Sequence, residues 1–196
     1  GGPAALGPAA PADRRARTVD VVGCGGTLDA DGSLVDARLS GTTSRFLLPV
    51  LALARGEVRL DGGAPLRRRP MGETIAALRS LGAHVGELGE PGHLPVVVSG
   101  GPVVGGGELV VAGQASSQFL SGLLLVAPAL PGGLEIAVEG PLVSVPYVEM
   151  TVAVMRAFGA RVDVDGTSRR FVVPPGGYRG TRFGVEPDAS AASWSA

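Results

Sequence analysis

Three features of this 196-residue sequence predict an α/β fold built from repeated βαβαββ units. Apolar runs of strand length alternate with runs of helical period. The 32 glycines and 16 prolines fall between these runs, as the turn punctuation of a globular chain. One stretch is also matched, element by element, by another roughly 73 to 77 residues further on.

In chain order, residues 1–18 read as a flexible leader, with Arg14, Arg15 and Arg17 as a solvated cluster. Val19–Val22 is expected as a strand, Gly23–Gly26 and Leu28–Ser33 as turns, and Leu34–Val35 as a short strand. Residues 19–38 therefore have hairpin character and are assigned as the remnant of a first unit. Gly41–Arg45 leads into an apolar helix over Phe46–Ala54, where Pro49 conflicts with a regular interior. Glu57–Leu60 is a strand, Asp61–Gly63 a turn and Leu66–Pro70 an arginine-rich loop. Met71, Ile75 and Leu78 mark one face of a helix over Met71–Leu81. Glu73 suits its first turn and Gly82 its C-terminal end. Strands at His84–Glu87 and Leu94–Val98 complete a second unit, 39–104.

The third unit, 105–180, repeats that order. Glu108–Ala112 is a strand, and Gly113–Gln118 leads into a helix apolar almost all round, hence buried on most faces. A strand at Leu134–Val138, a helix at Tyr147–Phe158 closed by Gly159, and strands at Arg161–Val164 and Arg170–Val173 follow. Ser44-Arg45-Phe46-Leu47 aligns with Ser117-Gln118-Phe119-Leu120, Pro70-Met71 with Pro146-Tyr147, and Leu81–Val85 with Phe158–Val162. Residues 181–196 are assigned to the start of a further domain.

Composition narrows the function. A net charge of −1 argues against nucleic acid and anionic membranes as partners. All basic residues are arginine. Cys24 stands alone, so an internal disulfide is excluded, and it is expected as a buried small hydrophobe. His84 and His93 lack metal-ligand spacing, so no metal is expected. No apolar run is long enough to span a bilayer, and a cytoplasmic location is the expectation.

In a tandem repeat, equivalent loops emerge on one side. The helix-leading loops 41–45, 67–70, 114–118 and 144–147 are therefore expected at one cleft. They carry Thr42, Arg45, Arg69, Ser116, Ser117, Gln118, Ser144 and Tyr147. Helix N-termini, hydroxyls, an amide and guanidinium groups suit a phosphorylated, hydroxylated small molecule. The same residues also serve as caps and turn residues at a polar rim.

The segments Gly41–Leu47, Arg69-Pro70-Met71, Ala115–Ser121, Val143–Tyr147 and Pro187–Ser193 resemble the enolpyruvyl transferases. The likeness runs from about Val19 to Trp194 and is strongest to the branch acting on shikimate 3-phosphate. It implies an inside-out α/β architecture of two domains, each of three βαβαββ units, helices within and sheets outside. This chain corresponds to about one of the two. It implies transfer of the enolpyruvyl group of phosphoenolpyruvate to the 5-hydroxyl of shikimate 3-phosphate, with release of phosphate and no cofactor. By position, Ser116, Ser117, Gln118, Ser144 and Tyr147 would meet shikimate 3-phosphate. Gly41, Thr42, Arg69 and Gln118 would meet phosphoenolpyruvate, and Arg45 would be structural. The family's opening motif with its Lys is absent, Leu39 stands where Asn is usual, and Val145 where a basic residue is usual. The resemblance places the catalytic carboxylate in the other domain, a missing partner in cis or in trans. No catalytic residue is assigned here, and an inactive fragment or phosphate-ester-binding module of the same fold is the alternative.

Overall fold

The computed structural model describes residues 18–26, 28–100, 105–114 and 116–185. The leader through Arg17, Ala115, and the Pro187–Ser193 motif with Asp188 lie outside them. The elements are β1 (Leu28–Asp29), β2 (Ser33–Asp36), α1 (Gly41–Leu51), β3 (Ala54–Arg55), β4 (Val58–Asp61), α2 (Ala64–Arg67), α3 (Gly72–Ser80), β5 (His84–Glu87) and β6 (Val96–Ser99). They continue with β7 (Gly107–Ala112), α4 (Ser117–Val126), β8 (Leu134–Glu139), α5 (Val145–Ala157), β9 (Asp163–Val164) and β10 (Arg170–Val173).

Two four-stranded sheets have the same internal plan, in the orders β2-β4-β6-β5 and β7-β8-β10-β9. In each, the first pair is parallel and the other two are antiparallel. The parallel pairs are joined across α1 and α4, because parallel strands need a crossover. β2 pairs with β4 from Ser33 to Asp36, so this sheet begins upstream of the expected unit boundary.

The opening hairpin is corrected. Val19–Val22 forms no strand, and Val19, Val21 and Val22 are exposed. β1 and β2 do not pair with each other; they run parallel to β3 and β4. Among the described residues no strand pairs with this run, so it gains no apolar burial there. Cys24 is exposed as well, contrary to the expectation of a buried small hydrophobe.

Helices form the interior. α4 packs against α1 on one side and α5 on the other. Phe119, Leu120, Leu123, Leu124 and Val126 of α4 are all buried, each apolar side chain of this size contributing about 1.5–3 kcal/mol. The strands alternate: Val58 and Leu60, Val96 and Val98, Leu134, Ile136 and Val138, and Phe171 and Val173 join the core. The residues between them are more exposed, so each sheet presents one face outward. Among the described residues, no helix is long and apolar enough to cross a membrane.

α1 starts at Gly41, five residues ahead of the apolar run, because Ser40 caps it by accepting from the Thr43 N–H. Pro49 stands inside the helix and cannot donate to the Arg45 carbonyl. α4 approaches at that point. A Cβ on Gly122 would lie 2.7 Å from the Arg45 carbonyl oxygen and 3.4 Å from Pro49 Cγ, so only glycine permits this crossing.

Asp61 ends β4 and organises the arginine-rich turn. Its Oδ1 accepts from Gly62 N at 2.7 Å and Arg67 Nε at 2.9 Å, and its Oδ2 from Arg67 Nη2 and Arg59 Nη2, each at 2.9 Å. Burial alone would raise its carboxyl pKa, but the hydrogen bonds from Arg67, Gly62 and Arg59 outweigh this and hold it below the usual carboxylate range.

Gly122→Ala is expected to destabilise the fold by about 1–3 kcal/mol in denaturant unfolding, while Gly180→Ala, with open space around it, is expected to be neutral. A depressed folded-state pKa stabilises above the unfolded value, about 3.9 for Asp, and that stability is lost as pH falls through the lower folded value. The stability gap between the wild type and Asp61→Asn is therefore expected at neutral pH and should close below about pH 4, as read from unfolding curves at several pH values.

Candidate functional site

Strand β7 turns into α4 through Gly113 and Gln114, and Ser116 sets the helix start. Its hydroxyl accepts from the Gln118 N–H at 3.4 Å, and Ser117 is buried behind it. The equivalent start of α1 lies alongside. Ser40 Oγ accepts from Thr43 N at 3.1 Å and from Thr43 Oγ1 at 2.8 Å, leaving Thr42 exposed at the helix head. The unpaired N–H groups and positive dipole ends of both helices thus lie side by side.

Gln118 joins them. Its Oε1 accepts from Arg45 Nη1 at 2.8 Å, and its Nε2 donates to Thr42 Oγ1 at 2.9 Å. Arg45 and Gln118 are 73 residues apart, the aligned positions of the two repeats. The Arg45 guanidinium lies 4.7 Å from the centre of the Phe119 ring, in the range for a cation–π contact. Partial burial, then the neighbouring Arg69 charge, lowers its pKa from the ordinary value. Arginine nevertheless remains protonated in proteins.

Arg69 follows α2 and is directed onto Gly41. A Cβ at Gly41 would stand 2.6 Å from Arg69 Nη1, so the missing side chain is the space the guanidinium occupies. Among the described residues, neither Arg45 nor Arg69 is in an ion pair, unlike Arg59, Arg67, Arg79 and Arg170. Two neighbouring cations, neither of them paired with a carboxylate among the described residues, beside two helix N-termini make a surface whose charge suits an anion.

The third helix head is attached to the same region. Val143 N donates to Gly113 O at 3.0 Å, tying the 141–144 loop to the strand end before α4. Ser144 takes a left-handed conformation, φ 57° and ψ 43°, and turns the chain into α5. Thr151 Oγ1 bonds both Tyr147 O at 2.9 Å and Ser121 Oγ at 2.8 Å, which fastens the first turns of α5 to α4. Ser144 and Tyr147 are both exposed there.

Gly41, Thr42, Arg69, Ser116, Ser117 and Gln118 are thus brought together, with Ser144 and Tyr147 at the adjoining helix head. Arg45, read from sequence as structural, bonds Gln118 directly; the sequence aligned the two positions but carried no signal that they meet. A separate cavity of about 480 Å³ lies between α3, β7 and α4, lined by Thr74, Ala77, Leu109, Phe119 and Leu123 among others. It is mainly apolar and shares Ser116 with the polar cluster. Among the described residues, no group of three His, Cys, Asp or Glu side chains is placed to hold a metal ion.

Residues 4–195 match the family model described as EPSP synthase (3-phosphoshikimate 1-carboxyvinyltransferase). The chain is 42% identical over 176 residues to the 3-phosphoshikimate 1-carboxyvinyltransferase of Methanothermobacter thermautotrophicus, covering 90% of this chain and 41% of that protein. It is 40% identical over 179 residues to that of Laribacter hongkongensis, covering 91% of this chain and 42% of the relative. Its fold is similar to the solved EPSP synthase from Acinetobacter baumannii, with a TM-score of 0.69 and 30% identity over 83% of this chain and 36% of that one. The chain therefore spans about two fifths of the length of the curated relatives it matches. Its twin βαβαββ sheets, its paired helix heads and the match of residues 4–195 to the family model place it in one family: the chain belongs to the EPSP synthases.

Proposed function

We propose that this chain forms the substrate-gripping part of an enzyme that moves the enolpyruvyl group of phosphoenolpyruvate to the 5-hydroxyl of shikimate 3-phosphate, with release of phosphate. The observation that carries this reading is the junction of Arg69 against Gly41 with Gln118 bridging Thr42 and Arg45. In it, Gly41, Thr42, Arg69 and Gln118 receive phosphoenolpyruvate. Ser116, Ser117, Gln118, Ser144 and Tyr147 receive shikimate 3-phosphate. Both ligands carry acceptor-only anionic groups, which arginine and helix-head N–H groups suit.

The chemistry itself draws on a partner region. None of the converging residues is a carboxylate, histidine or lysine, the commonest side chains for proton transfer in a transition state, and Tyr147 is their one phenol. The proton-transfer group comes, in this reading, from the part of the relatives that this chain does not span, supplied in cis or in trans. The lack of a carboxylate, histidine or lysine among the converging residues also favours a second reading, a phosphate-ester-binding module of the same fold.

Calorimetric titration tests the binding roles. Shikimate 3-phosphate is expected to bind this chain, and Gln118→Leu to weaken it about tenfold, or about 1.4 kcal/mol. Absence of heat with the wild-type chain would refute the assigned ligand. Phosphate release from the two substrates when the missing region is added separates the transferase from the binding module.

Gly41→Ala places a methyl in the space of a flexible guanidinium end, so it should cost little stability yet push Arg69 aside. The expected result is an unfolding midpoint close to wild type with phosphoenolpyruvate affinity lowered about tenfold, measured on the chain with its partner region.

A further inference from the structure

The two ends of the Gln118 amide are alike in shape and opposite in polarity. Arg45 is a donor only, so the oxygen must face Arg45 and the NH2 must face Thr42. This orientation fixes what lies beyond it. Thr42 Oγ1 accepts from Gln118, so its own proton is left to donate outward. One Nε2 hydrogen is left over as well. With Arg69 alongside, that end of the network offers donors. An amide turned the other way would present an oxygen to the same space and repel an anion.

We propose that Arg45 is a positioning residue that sets the hydrogen-bond polarity of the site, making Thr42 and Gln118 donors toward an acceptor-only ligand group. Among the described residues no carboxylate pairs with it. The guanidinium lies over Phe119, and its Nε is buried without a hydrogen-bond partner, so packing in the α1–α4 interface holds it. Held there, Arg45 keeps the fork aimed at Gln118, and the amide has one favourable orientation. The ligand named in the test rests on the function proposed above; the orientation of Gln118 does not.

The experiment uses the whole chain labelled with 15N. In the wild type and Arg45→Lys, which both present donors only, the Gln118 side-chain NH2 is expected to give resolved resonances with a nuclear Overhauser contact to the Thr42 methyl. In Arg45→Met that contact is expected to vanish while the backbone spectrum stays dispersed. Affinity for shikimate 3-phosphate should fall about tenfold in Arg45→Met and stay within about threefold in Arg45→Lys. If Arg45→Met does not fold, Arg45→Gln, which can accept as well as donate, takes its place with the same expected results. An unchanged Gln118–Thr42 contact in Arg45→Met overturns the proposal. So does an Arg45→Lys variant that behaves like Arg45→Met. If shikimate 3-phosphate binds none of the proteins, the substrate reading fails, while the ligand-free contact still decides the role of Arg45.

Discussion

The close crossing of α1 and α4 is the contact on which the rest depends. Gly122 has no side chain and so admits the Arg45 carbonyl at a distance no other residue would tolerate, with the Pro49 ring packed beside it. That approach lets one helix run beside the other with their heads level. It closes the centre of the core, where Leu123 and Leu124 are essentially inaccessible. It also brings Arg45 within hydrogen-bonding reach of Gln118, one turn nearer the helix heads than the crossing itself. Core packing and site geometry are therefore one constraint, and a change in helix separation is felt in both.

The sheets frame this pair without entering the site. Each buries one face on the helices and leaves the other to solvent, so the helices rather than the strands occupy the centre. Strand ends instead determine where the polar loops begin. Asp61 at the end of β4 gathers Arg59, Arg67 and the Gly62 N–H, which pins the turn leading to Arg69. Glu139 at the end of β8 accepts from Gly113 N, so the strand end before α4 is braced across the parallel pair. Each helix head is thus fixed from behind by backbone and side-chain bonds, leaving the forward groups available.

Much of this was legible in the sequence because it is periodic or local. The two units could be aligned by spacing, and the two sheets repeat the same pairing senses. The buried character of α4 followed from apolar residues on nearly all sides. What escaped depends on contacts distant in sequence. The start of α1 was placed too late because its first turn is polar and is held by the Ser40 cap rather than by burial. The opening was read as a hairpin of Val19–Val22 and Leu34–Val35 because neighbouring extended segments usually pair, whereas Val19–Val22 forms no strand and both Leu28–Asp29, read as a turn, and Leu34–Val35 find partners beyond α1. Gly122 is an unremarkable helical glycine until its neighbour is known. Arg45 was visible as an aligned residue, but its bond across to Gln118 is a property of the packed helices alone.

The bond between Arg45 and Gln118, and the contact between Pro49 and Gly122, each unite the same position in two copies of one unit. Neither contact is self-symmetric: a guanidinium meets an amide in one, and a pyrrolidine ring meets a bare Cα in the other. Two units of one backbone plan are therefore joined by unlike side chains, and at this junction they are not interchangeable.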